Sequence, residues 1–149
     1  MFKQICFFRK RDDMTAEEFL DYYENQHSQL SARIGKKRAI AAATRYVRRY
    51  LVPEKNPVTG EVHDPGYDCI MEIWWNSRAD FEASQEALRQ PDRLPHVIAD
   101  EKNLFATHAN PVCSVIEHDS PMGPNGEPTQ VCVTYGDVTY GELAEGDSQ

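Results

Sequence analysis

The sequence predicts an α+β fold in which an antiparallel sheet, in β-α-β-β-α-β order, carries its helices on one face. Three observations lead to this. Four short stretches rich in aromatic and β-branched residues alternate with stretches that open on helix-capping signatures. The clearest strand, Tyr67 to Trp75 (YDCIMEIWW), splits its side chains between two faces with period two. At 149 residues the chain has the length of one domain with a sizeable core.

Phe2 to Phe8 is the first strand, apolar and aromatic, followed by the polar turn RKRDD. Thr15 is a natural N-cap with Glu18 three residues on, a capping box, and Met14 with Phe19 forms a hydrophobic staple around it. At 100° per residue Phe19, Tyr23, Leu30 and Ile34 share one stripe, so the helix is expected to run to Gly35, a favourable C′ residue. His27 falls on the core side of that stripe. Thr44 to Val52 (TRYVRRYLV) reads as the second strand. Pro53 to Gly66 reads as a loop with a turn at Thr59-Gly60. After the third strand, Ser77 with Asp80 caps a second helix through Arg89, stopped by Pro91. A short helical piece from His96 to Leu104 and a fourth strand from Val112 to Glu117 complete the split-βαβ, or ferredoxin-like, order.

Cys69, Met71, Ile73 and Trp75 share the face expected under the helices, whereas Asp68, Ile70, Glu72 and Trp74 share the other. Leaving Ile70 and Trp74 in water costs about 1.5–3 kcal/mol per large side chain. A second copy of the chain covering that face is the expected remedy, making a homodimer. Gly-Pro-Asn-Gly at 123–126 sets off an acidic extension, so the chain divides into residues 1–118 and 119–149. Thr129 to Tyr135 and the VTYGE that follows are expected to add strands to the sheet or lace the dimer.

The charge is uneven. All 16 Lys and Arg lie at or before Lys102, while the last third holds 7 of the 24 acidic residues and carries nearly all of the net −8. This balance argues against nucleic acid as a partner. No apolar run is long enough to span a bilayer and no export signal is read, so a cytoplasmic location is expected. Cys6, Cys69, Cys113 and Cys132 show no metal or redox spacing and are expected to be reduced core thiols. His63-Asp64 has no further ligand at a useful spacing, so no metal is expected.

Taken together, the opening strand, RKRDDMTAEEFLDYYENQH, RRYLV, YDCIMEIWWNSRADFEA and DEKNLF resemble the EthD family, a branch of the dimeric α+β barrels. The resemblance covers roughly residues 3 to 118. It departs at Thr107, where the family commonly has an acidic residue. The resemblance implies a cavity-forming homodimer whose relatives include cofactor-independent dehydratases, decarboxylases, cyclases and isomerases of aromatic or polyketide-like compounds. Fold by itself does not choose among these.

The residues suggest one constellation. If the polar face of the third strand lines a chamber, Asp68 and Glu72 project into it, about 13 Å apart and so unable to share a proton. His27 is the natural proton carrier near neutral pH. Tyr46, Arg48 and Tyr50 share a face of the second strand; Arg48 is suited to hold an oxyanion and the tyrosines to orient a ring. Trp74 and His108 complete the expected substrate contacts. No nucleophile elbow, phosphate loop, dinucleotide fingerprint or zinc motif is present in the sequence. The expectation is a cofactor-free lyase or isomerase moving protons on an aromatic or polycyclic metabolite, with His27, Asp68 and Glu72 as its catalytic groups. The alternatives are a cofactor-free or heme-dependent oxygenase of the same fold and a non-catalytic accessory protein.

Overall fold

The computed structural model describes residues 1–127 and, as backbone, 132–135 and 138–140. The chain runs β1 (Phe2–Phe8), α1 (Ala16–Asn25), a 3-10 turn (His27–Gln29), the single-turn α2 (Leu30–Arg33), β2 (Ala43–Tyr50), β3 (Cys69–Trp75), α3 (Arg78–Arg89), α4 (Leu94–Glu101) and β4 (Val112–Ser114). Four strands pair in the order β2-β3-β1-β4, every neighbour antiparallel. This is the expected ferredoxin-like α+β arrangement. Among the described residues no helix is long and apolar enough to cross a membrane.

The register decides what each face carries. On the outer face Phe7, Ile70 and Arg49 lie in one row, Ile5, Glu72 and Val47 in the next, and Lys3, Trp74 and Arg45 in the third. The inner face carries Gln4, Ile73 and Tyr46, then Cys6, Met71 and Arg48, then Phe8, Cys69 and Tyr50. The core forms on this inner side, with Phe2, Phe19, Tyr23, Trp75 and Leu104 almost wholly buried. Phe8 stacks on Phe105 with centroids 4.4 Å apart, fixing the segment after α4 against β1.

The capping box at Thr15 is formed in both directions: Thr15 Oγ1 accepts from the Glu18 N–H at 3.1 Å, and Glu18 Oε2 from the Thr15 N–H at 2.8 Å. The helix does not continue to Gly35. The Ser28 hydroxyl donates to the Glu24 carbonyl at 2.6 Å, and in the weak helix-forming run Asn25–Ser28 the chain tightens into the 3-10 turn. Leu30 and Ile34 therefore leave the Phe19–Tyr23 stripe. Gly35, with φ of 68°, does close the segment: its N–H donates to Ala32 O at 3.0 Å and that of Lys36 to Ser31 O at 2.8 Å, a Schellman cap.

The expected fourth strand is two pieces. β4 pairs with β1, while β5 (Ile116–Asp119) leaves the main sheet and pairs with β6 (Cys132–Tyr135), which pairs with β7 (Val138–Tyr140). The extension thus builds a second sheet instead of adding strands to the first; the ends of its expected strands at 129–131 and 141–142 lie outside the described residues. Cys6 and Cys69 are buried free thiols, each pushed up to about 12 by burial, but Cys113 is exposed on the outer face opposite Ile5 and is not a core thiol.

Candidate functional site

A cavity of about 280 Å³ lies between the inner face of the sheet and the helical layer. This is close to the lower end of the ~300–1,000 Å³ of small-molecule clefts. Its floor is Gln4, Cys6, Phe8, Met71, Ile73 and Tyr46. The segment from His27 to Ile40 covers one side, α3 supplies Ser84 and Leu88, and Val97, Glu101 and His108 close another. The break in the first helix is what brings Leu30 and Ile34 into this wall.

His27 is 16% exposed, and its Nδ1 lies 2.7 Å from Asp100 Oδ2. The ring packs edge-on against Tyr23 and Phe105. Asp100 is 5% exposed and also accepts from the Tyr22 hydroxyl at 2.8 Å, with the Arg33 guanidinium 3.5 Å away. Burial pushes this carboxyl up, but the hydrogen bonds from His27 and Tyr22 and the nearby positive charge outweigh it and hold Asp100 below the usual range. An ionised carboxylate only accepts, so the proton of a neutral His27 sits on Nδ1 and the lone pair on Nε2. Nε2 makes no hydrogen bond among the described residues, and the ring lines the cavity.

A second histidine repeats the pattern. His108 Nδ1 is 2.9 Å from Glu101 Oε2, and both residues line the same cavity. Tyr46 also lines it, its hydroxyl 3.1 Å from that of Tyr23. Burial pushes both tyrosines up, so both remain protonated donors at neutral pH.

The other expected site residues stand elsewhere. Glu72 and Trp74 belong to the outer face, across the sheet from His27, because their even positions alternate with the inward Met71, Ile73 and Trp75. Glu72 is 7% exposed, with Arg49 Nη1 2.6 Å from one oxygen and the Trp74 indole N–H donating to the other. The Trp74 ring has the Lys3 ammonium over it at 3.7 Å and the Arg45 guanidinium at 4.5 Å. Asp68 precedes β3, and its Oδ2 accepts from the Lys10 N–H at 2.9 Å, clasping the end of β1. Arg48 and Tyr50 face α1 and are engaged there by Glu24: Arg48 Nη2 lies 2.5 Å and the Tyr50 hydroxyl 2.7 Å from its carboxylate. Thus His27, Tyr46 and His108 come together, and Asp68, Glu72, Arg48, Tyr50 and Trp74 do not join them.

No local spacing in the sequence gives Asp100 or Glu101 a chemical role. Their signal in the sequence is their place at the head of DEKNLF, one of the stretches that carry the family resemblance; the histidines they hold lie 73 and 7 residues away. Among the described residues no three His, Cys, Asp or Glu side chains converge as they would around a metal ion.

The EthD domain family model matches residues 11–108, which span the capped helix, the paired strands β2 and β3, and both His–carboxylate pairs. The chain belongs to the EthD family. No curated protein matches it. Solved structures similar to this EthD chain include an ethyl tert-butyl ether d (EthD) family protein from Bacillus halodurans C-125, 19% identical, covering 77% of this chain and 96% of its own, TM-score 0.48. HapK from Hahella chejuensis is 15% identical, covering 83% of this chain and 100% of its own, TM-score 0.46. A dimeric ferredoxin-like protein of unknown function from Thermobifida fusca YX is 17% identical, covering 76% of this chain and 87% of its own, TM-score 0.42.

Proposed function

We propose that this EthD-family protein transfers protons on an aromatic or polycyclic small molecule, as a lyase or isomerase in which His27 is the general base. One observation carries the reading: a histidine whose tautomer is set by a buried, ionised Asp100 turns its basic nitrogen loose in the wall of a mostly apolar cavity. A carbon-bound proton next to a carbonyl passes to His27 Nε2. The charge that develops on the carbonyl oxygen is met by the Tyr46 hydroxyl, which remains a donor while the Tyr23 hydroxyl supports it. The proton then returns from His27, or from His108 with Glu101 behind it, to carbon or to a leaving hydroxyl.

The test uses 1-tetralone, a bicyclic aryl ketone, as the carbon acid, with exchange of its α-protons in D₂O followed by NMR. The protein accelerates exchange; His27→Gln and Asp100→Asn each remove about 10²–10⁴-fold of that acceleration while the fold is retained. Exchange unaffected by His27→Gln ends the reading.

For the assembly, we propose that a second copy covers the outer face. Ile5, Phe7, Val47 and Ile70 are each half-buried in a single chain and lie side by side there, which supports this. The indole of Trp74 contributes less than expected, since Lys3 and Arg45 already cover it.

A further inference from the structure

Arg93 is 9% exposed, lines the cavity, and has no carboxylate within ion-pair distance among the described residues. Its guanidinium donates to Ser31 Oγ at 3.1 Å and to the Lys37 carbonyl at 2.7 Å, both neutral acceptors. The adjacent Asp92 is engaged with Lys36. Arg38 lines the same cavity and is likewise without a paired carboxylate among the described residues, where its acceptor is Gln29 Oε1 at 3.3 Å. Of five guanidinium N–H donors Arg93 has two in use, and Asp92 acts on it only through its field, so this nearly buried cation has no directly paired carboxylate among the described residues, which is costly. In the floor, Gln4 is 5% exposed, and among the described residues its Oε1 has no hydrogen-bond partner and its amide nitrogen reaches only Cys6 Sγ, at 3.4 Å. A buried carboxamide oxygen without a partner is uncommon. Both sit in one cavity, on a chain whose net charge of −8 would otherwise repel an anion.

We infer that the cavity's ligand is a hydroxyaryl carboxylate: its carboxylate seats on the guanidinium of Arg93, with Arg38 beside it, and a hydroxyl completes the hydrogen bonding of Gln4. A planar carboxylate matches the paired N–H donors of a guanidinium, and the apolar wall between the two polar points accepts a ring. This names the substrate class for the site proposed above and rests on that reading for the chemistry, though not for the binding.

The experiment measures affinity by calorimetry, without turnover, for three probes on one ring: 6-hydroxy-2-naphthoate, 2-naphthoate and 2-naphthol. The full chain binds 6-hydroxy-2-naphthoate about 10–100-fold more tightly than 2-naphthol and several-fold more tightly than 2-naphthoate. Arg93→Gln and Arg38→Gln each shrink the first ratio toward one while leaving 2-naphthol affinity unchanged; Gln4→Leu shrinks only the second. Because Arg93 also braces Ser31 and Lys37, its variant is checked by circular dichroism, and the solvent-reachable Arg38→Gln decides the matter if Arg93→Gln does not fold. Equal affinity for the three probes, no binding of any, or a carboxylate preference untouched by Arg38→Gln overturns the inference. A protein that shows the arginine-dependent preference yet does not exchange tetralone protons refutes general-base action alone. One that exchanges them but treats the probes alike refutes the anion subsite alone.

Discussion

Asp100 gathers the His27 ring, the Tyr22 hydroxyl and the Arg33 guanidinium, and so governs which nitrogen of His27 is basic. Its lowered pKa is also a stability statement. The folded value lies below that of an exposed Asp, about 3.9, so the contribution is fully present above that pH and is lost as pH falls through the folded value. Asp100→Asn is expected to cost about 1–3 kcal/mol at pH 5 in urea denaturation, with the gap to the wild type narrowing below about pH 4. A gap that widens on acidification contradicts the assignment. His27 was legible from its place beside the Phe19–Tyr23 stripe, but Asp100 was not. A carboxylate is made functional by what it meets in space, and no local spacing relates residues 27 and 100. Arg48 shows the converse: the strand pattern groups it with Tyr46 and Tyr50 on one face, but does not show that Glu24, one turn before the histidine, takes it up.

At the scale of elements, caps and alternation were readable because they are local. The Thr15 and Ser77 caps, the first strand and the end of α3 at Arg89 all stand where the sequence puts them. The break after Asn25 was not read, since it depends on Ser28 turning back to the Glu24 carbonyl in competition with the helix. That break, and the cap that ends it, hold the wall from His27 to Ile34. Gly35 has open space around a Cβ, so Gly35→Ala brings only the cost of a left-handed backbone. The expected loss is about 1–2 kcal/mol by urea denaturation, accompanied by weaker binding of a naphthoate probe. Unchanged stability means the Schellman cap does not hold this wall.

For the molecule as a whole, the alternation of β3 told which side chains share a face but not which face encloses the cavity. The apolar side of the sheet and the helices over it leave the hollow between themselves, while Glu72, expected to line a chamber, is neutralised outside by Arg49 and accepts from the Trp74 indole. The outer face remains the proposed seat of a second copy. Ile70→Asp, between Phe7 and Arg49, is expected to shift the sedimenting species from dimer to monomer at micromolar concentration while tetralone exchange persists. A wild type that sediments as a monomer at every concentration rules out that assembly.

Cys113 sits on β4 directly opposite Ile5, solvent-facing, whereas Cys6 and Cys69 lie inside the core. The fold has therefore placed an accessible thiol at the rim of the proposed contact, where alkylation is a native gauge of occlusion. Maleimide capture at this position should slow as the chain is concentrated, and Ile70→Asp should restore the fast rate.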